Sequence, residues 1–163
     1  MRPVTEADIR ASFVNCTKGE AKRLAVPRDL ALRPWEDLDF LGWRDPSAPE
    51  RTYLVAESGD GLVGVVLRRA APHARLVRRS MCSLCLTVHS GDGVSLMTAR
   101  RAGRSGQQGN SVGAYLCTDL ACSLYLRGRK SAGPGAMHET LTLEERVARA
   151  TANLAGFLDK VVA

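Results

Sequence analysis

A chain of 163 residues with 45% hydrophobic and 25% charged side chains can bury a core of its own and is too apolar for disorder. Aromatic residues make up only 5%, so aliphatic side chains must carry most of the packing. A net charge of +6 favours anionic partners, and the absence of any run near the roughly 20 apolar residues of a membrane span leaves no membrane role.

The first predicted element is a helix opening at Thr5-Glu6-Ala7-Asp8, a capping arrangement, with Ile9, Phe13 and Cys16 at i, i+4 and i+7 on one face. Gly19 is its expected breaker, and Cys16 reads as a small buried helix residue. From Pro27 to Pro49 the prolines at 27, 34 and 46, with Gly42, predict an irregular connection. Its apolar residues Trp35, Leu38, Phe40, Leu41 and Trp43 act as anchors, the tryptophans as lids over a small core. Thr52–Ala56 and Leu62–Leu67 favour strands around the turn signal Ser58-Gly59-Asp60-Gly61, which predicts a hairpin whose second strand is covered on both faces. A connector through Pro72, His73, Leu76 and Val77 leads to the pair Cys82-Ser83-Leu84-Cys85.

Gly93–Ala99 and Ser111–Leu116 alternate and are predicted to pair. Their link, Arg100 to Asn110, has no apolar side chain larger than alanine and reads as an exposed, mobile, cationic loop. Then comes Cys117-Thr118-Asp119-Leu120-Ala121-Cys122, with Cys117 expected to end a strand and Cys122 to lie in the first turn of a short helix, Asp119 to Arg127. After a break at Ser131–Gly135, Thr142-Leu143-Glu144-Glu145 is a capping box. Leu143, Val147, Ala150, Leu154, Phe157 or Leu158, and Val161 then predict a final helix that packs on its own domain.

Two close cysteine pairs can supply four thiolates to one tetrahedral zinc, and a knuckle, a hairpin and a second pair at a strand end and helix start follow the logic of a treble-clef finger. Cys82, Cys85, Cys117 and Cys122 are the expected ligands of one structural Zn2+. His89 competes as fourth ligand, with His73 and His138 farther away in sequence. A redox reading of Cys82–Cys85 lacks the βαβ context it needs. A closed thiolate shell leaves no open position for water, and the chain carries no phosphate loop, nucleophile elbow or His-Glu-x-x-His, so no enzymatic activity is expected. Without an apolar leader at the N-terminus the expected compartment is the cytoplasm, where paired cysteines favour metal over disulfides. Between Arg68 and Lys130 eleven Lys and Arg accompany only Asp92 and Asp119, so the metal region is itself cationic. A solvated basic face with no partner is the plainer reading of that charge.

The segments Met81–Cys85, Gly109–Cys117 and Thr118–Tyr125 resemble the C-terminal treble-clef domain of the elongation factor G-binding proteins, which include fusidic-acid-resistance proteins of the FusB type. The resemblance implies a non-enzymatic, cytoplasmic zinc protein that binds elongation factor G and, in resistance members, helps it leave the ribosome when fusidic acid stalls it. Resistance members carry a helical bundle ahead of the zinc-bearing domain, whereas residues 1–50 here offer one convincing helix. The zinc role transfers to the four cysteines. A binding role transfers by region to Arg100, Arg101, Arg104, Gln108, Asn110, Tyr125 and Arg127.

The expected architecture is a monomeric α+β domain over residues 1–163, with a mainly antiparallel sheet, a four-cysteine finger and a helix at either end. Its parts are a helix with an irregular anchor (1–50), a hairpin and connector (51–80), the zinc finger (81–130) and the last helix (131–163). An RNA-binding or ribosome-binding zinc module is the alternative. Tyr115 and Tyr125 are the only aromatics between Cys82 and Lys130, few for a base-stacking platform.

Overall fold

The computed structural model describes residues 1–59, 61–71, 79–133 and 139–163. Asp60, the connector through Pro72, His73, Leu76 and Val77, and the stretch with Pro134, Gly135 and His138 lie outside them.

Thr5 caps helix α1 (Glu6–Ser12) reciprocally: the Asp8 amide donates to Thr5 Oγ1 at 3.2 Å, and the Thr5 amide donates to Asp8 Oδ2 at 2.9 Å. The helix stops at Ser12, so Cys16 lies in the bend beyond it, half-buried, and not on a helix as the periodicity suggested. Nor does Gly19 end anything. Thr17 and Glu20 form a second capping box that starts α2 (Lys18–Arg23), and Gly19 occupies its first turn, where a missing side chain costs least.

Five strands form one antiparallel sheet in the order β1-β2-β3-β6-β7. Strands β2 (Arg51–Ser58) and β3 (Gly61–Arg69) are the expected hairpin, and β6 (Val94–Arg100) pairs with β7 (Ser111–Cys117) from Val94↔Cys117 to Arg100↔Ser111. Strand β1 (Phe40–Arg44) falls in the stretch expected to be irregular. Pro34 and Pro46 bracket this strand without entering it, and its brevity and central glycine hid the strand signal. Two short strands, β4 (Ser80–Met81) and β5 (Val88–His89), form a separate ribbon. Strands β3 and β6 pair only at Arg68↔Thr98 and Arg69↔Met97. Beyond that point Asn15 fills the gap, its Oδ1 accepting from the Val66 amide at 2.8 Å and its Nδ2 donating to the Val66 and Arg100 carbonyls at 3.0 Å each. A side-chain amide here replaces a missing rung of the ladder.

Period-two alternation gives the sheet two apolar faces. On the first, Leu54, Val65, Leu67, Met97 and Leu116, all at most 0% exposed, pack with the four zinc-candidate cysteines and with Leu154, Phe157, Leu158 and Val161 of α5 (Leu143–Val162). That helix is thus structural, as its capping box and stripe predicted. On the second face Leu41, Trp43, Tyr53 and Val55 meet Ile9, Ala21 and Leu24 from the N-terminal helices. Trp43 is buried there and donates its indole N–H to the Ala25 carbonyl at 2.7 Å; Trp35, half-buried, packs on the same cluster. Both tryptophans close a core, as expected of lids.

Asp45 is buried at the edge of that second core. Its Oδ2 accepts from the Tyr53 hydroxyl at 2.7 Å and its Oδ1 from the Ser47 and Ala48 amides at 2.8 and 3.2 Å. Burial alone raises its pKa, but the Tyr53 hydroxyl, the two amides and Arg51 outweigh it and hold the carboxyl below its ordinary range. Burial and then the bond to Asp45 push Tyr53 up to about 12. The depressed carboxyl contributes stability above about pH 4 that is lost as pH falls through its lower folded value; the raised phenol contributes stability below about pH 10 that is lost as pH rises toward its folded value. Urea unfolding of Asp45→Asn is expected to show a loss of about 1–3 kcal/mol at pH 7 and a shallower decline than the parent below pH 4. Equal stability at pH 7 contradicts this.

Gly42 couples the sheet to the cysteine region. A Cβ there would stand 2.3 Å from Leu120 Cβ, and Leu120, between the second pair of cysteines, holds the left-handed conformation at φ 55°. Gly42→Ala must displace one element from the other and is expected to cost about 1–3 kcal/mol in thermal unfolding of the zinc-loaded chain. A change inside about 0.5 kcal/mol would show that the contact is slack.

The Arg100–Asn110 segment is not an open loop. Arg100 ends β6, and Gly103–Gln107 forms a helical turn, α3, with Gly106 buried. The Arg101 amide donates to the Asn110 carbonyl at 3.0 Å and the Ala102 amide to the Val161 carbonyl of α5 at 2.7 Å. These bonds close the base of the segment and tie it to the last helix.

Candidate metal centre

The knuckle is made by backbone. Cys82 donates its amide to the Thr87 carbonyl at 3.0 Å, and Leu86, left-handed at φ 58°, donates its amide to the Cys82 carbonyl at 2.9 Å. The chain therefore reverses between β4 and β5, and both thiols of the Cys82–Cys85 pair point to one side. The second pair comes from a strand end and a helix start, as the spacing predicted. Strand β7 ends at Cys117, the Leu120 amide returns to the Cys117 carbonyl at 2.8 Å, Asp119 Oδ1 accepts from the Ala121 amide at 3.0 Å, and Cys122 opens α4 (Cys122–Leu126). The helical part is five residues, shorter than the Asp119–Arg127 span expected.

The four sulfurs lie within 4.8 Å of one another, with Cys82–Cys122 at 3.7 Å and Cys85–Cys117 at 3.6 Å. A tetrahedron of thiolates around zinc, with Zn–S of about 2.3 Å, has edges of about 3.8 Å, so the cluster has the size the ion requires. All four cysteines are at most 1% exposed. Hydrogen bonds from Cys117, Cys122 and Cys85 pull the Cys82 thiol well below the ordinary thiol range, while Cys117, Cys82, Cys85 and burial hold Cys122 above it. Four buried thiols that must share so few protons suit a divalent cation, and the four cysteines hold one structural zinc.

His89 is a neighbour of this set and not a member. It is buried, with Nε2 3.4 Å from Cys117 Sγ, where an N–H can donate to the thiolate and fix it. Gly93 makes the room: a Cβ there would stand 2.8 Å from His89 Nδ1. The Tyr125 ring stands perpendicular to the imidazole, ring centres 4.6 Å apart, and its hydroxyl donates to Asp119 Oδ2 at 2.8 Å, the carboxylate that also receives Lys130 Nζ at 2.6 Å. Burial and then Asp119 raise the Tyr125 phenol. His73 and His138 lie outside the described residues.

The residues assigned to a partner by region are dispersed. Arg101 is half-exposed, and Arg104 and Gln108 are exposed on or beside α3. Asn110 is exposed, its Nδ2 3.2 Å from Ser105 Oγ. Arg100 faces the N-terminal helices, and Tyr125 is half-buried in the network beneath the metal. Arg127 is internal in role: its Nη1 and Nη2 donate to Asp39 Oδ2 and Oδ1 at 2.7 and 2.8 Å, its side chain is 17% exposed, and Asp37 lies at 4.0 Å. Ser123 Oγ accepts from the Asp39 amide at 2.9 Å, so α4 is latched to the chain ahead of β1 at two points. Sequence reading missed Asp39, and it missed Asn153, whose Nδ2 donates to the Leu84 carbonyl at 3.0 Å and ties α5 to the knuckle. Neither has a local signal, because its partner is distant in sequence.

A search of curated proteins finds no match. Among solved structures the fold is similar to that of the fusidic acid resistance protein FusC, with a TM-score of 0.53 and 18% identity over 88% of this chain and 54% of that one. At that identity the likeness speaks for the fold, and the chain spans about half the length of FusC. The family model described as FBP C-terminal treble-clef zinc-finger matches residues 8–161, nearly the whole chain and all four cysteines. The chain belongs to that FBP treble-clef zinc-finger family.

Proposed function

We propose that this chain is a non-enzymatic, cytoplasmic zinc protein that binds translation elongation factor G and eases its departure from the ribosome. The observation that carries the reading is the family match over residues 8–161 together with the buried four-cysteine cluster. Four thiolates close the zinc coordination shell, which suits a metal that shapes a surface and not one that activates water. That surface includes a half of the second sheet face that the N-terminal helices do not cover. Leu96 and Tyr115 stand opposite each other there on β6 and β7, 36% and 55% exposed. An apolar pair of this kind supplies residence time, while Arg101 and Arg104 supply encounter with an acidic partner.

Titration of the zinc-loaded chain with purified elongation factor G, and separately with ribosomal RNA, tests the reading. Saturable factor binding at physiological salt is expected, weakened about tenfold or more by Tyr115→Ala. Tight RNA binding without saturable factor binding would reverse the assignment.

A further inference from the structure

The far end of the sheet carries a second concentration of charge that the zinc site does not use. Arg51, Arg68 and Thr98 are in one cross-strand row through β2, β3 and β6, and Arg100 follows Thr98 by two residues, so all four project from the second face. With Arg23 of α2 they line a cleft of about 520 Å³ whose other walls include Asn15 and Cys16. Strand β6 runs seven residues, six steps along the strand, from Val94, beside Cys117, to Arg100, which puts this cleft about 20 Å from the metal end.

Among the described residues four arginines line it against one carboxylate residue, Glu20. Glu20 is already engaged, its Oε2 accepting from the Thr17 amide and hydroxyl at 2.8 Å each. Arg51 reaches Asp45 at 3.7 Å, while among the described residues Arg23, Arg68 and Arg100 have no ion pair. Arg51 and Arg68 are direct cross-strand partners, and like charges so placed, with Cβ atoms about 5 Å apart, repel each other. Guanidinium forks without carboxylate partners, as at Arg23, Arg68 and Arg100, match the oxygens of a phosphate group. The volume lies within the range of small-ligand sites, about 300–1,000 Å³, and the exposed lining is more polar than apolar.

We infer that the cleft between α2 and strands β2, β3 and β6 is a phosphate-binding site, with Arg68 and Arg100 as the principal ligands and Arg23 and Arg51 at its rim. It recognises the phosphate group and not what the phosphate is attached to. It does not depend on the zinc shell.

Cys16 supplies the reporter. It is half-buried in the cleft wall, whereas the other four cysteines are buried at the metal. The rate of Cys16 alkylation in the zinc-loaded full chain is followed by mass spectrometry with inorganic phosphate, adenosine 5′-monophosphate or a short RNA without terminal phosphates, each against chloride of matched ionic strength. Phosphate at twice its Kd is expected to slow labelling about threefold, and R68Q/R100Q to abolish that protection while keeping its zinc. Protection by the first two ligands alone assigns a phosphate monoester, and protection by RNA as well assigns a nucleic-acid backbone; both support the site. No protection by any of the three, or equal protection in R68Q/R100Q, overturns it. If the double variant does not fold, the single R68Q decides by thermal unfolding. With like-charge repulsion relieved, its Tm without ligand is expected to equal or exceed that of the parent, and the rise in Tm caused by phosphate is expected to vanish. A persistent rise overturns the site.

Discussion

Cys122→Ser is expected to lose more than about 5 kcal/mol of stability, enough to leave the first face of the sheet unfolded at room temperature. Cys122 is 1% exposed and sits in the same apolar cluster as Leu84, Leu120, Leu126 and the α5 residues Leu154 and Phe157. Without the ion, the remaining thiolates would be buried charges with no counter-charge, and they must either protonate or take on water. Either response opens the knuckle, and with it the bond from Asn153 to the Leu84 carbonyl and the contact of Leu120 with Gly42. Structural zinc sites in small domains contribute about 10–16 kcal/mol of apparent binding free energy, part of which this chain replaces with its own sheet. Thermal unfolding by circular dichroism, with zinc measured on the same samples, checks the claim. A melt within a few degrees of the parent, from a variant without metal, would mean that the core stands unaided.

Arg127→Ala is expected to destabilise the chain by about 2–4 kcal/mol, the range for breaking a largely buried pair discounted for its residual exposure. The guanidinium holds Asp39 through two bonds at 2.7 and 2.8 Å, and its removal leaves Asp39 16% exposed without that partner. Asp37 is less affected, because Arg129 approaches it at 3.2 Å. Arg127→Lys keeps the charge and loses the fork, so an intermediate loss is expected. Urea unfolding measures all three proteins, and Asp39→Ala closes the double-mutant cycle. Affinity for the proposed partner, elongation factor G, measured on folded protein, is expected to stay unchanged in Arg127→Lys. A stability change inside about 0.5 kcal/mol combined with weakened binding would return Arg127 to the partner-facing surface that sequence reasoning gave it.

The contrast between these two residues shows where sequence reasoning succeeds. Cysteine chemistry is carried by residue type and short spacing, so Cys82–Cys85 and Cys117–Cys122 announce their site before any fold is known. Capping boxes at Thr5 and Thr142, the strand-favouring runs and turn signal of β2 and β3, and the alternation in β6 and β7 are similarly local. Strand β1 was hidden because five residues with Gly42 at their centre carry little pattern, and its pairing with β2 is decided by tertiary contacts such as Leu41 with the second core. The turn α3 was hidden because its stabilising bonds come from Asn110 and from Val161 of another helix. Arg127 looked like a surface cation because Asp39, its partner, is 88 residues away. The same distance problem concealed Asn15, which mends the ladder between β3 and β6 across 51 and 85 residues.

X-ray absorption at the zinc edge tests the central claim most directly, because it counts and identifies the atoms bound to the metal. The account predicts one zinc per chain with four sulfur neighbours at about 2.3 Å and no nitrogen neighbour. Three sulfurs with one nitrogen at about 2.0 Å would put His89 in the shell in place of a cysteine and contradict the four-thiolate centre on which the rest of the account is built.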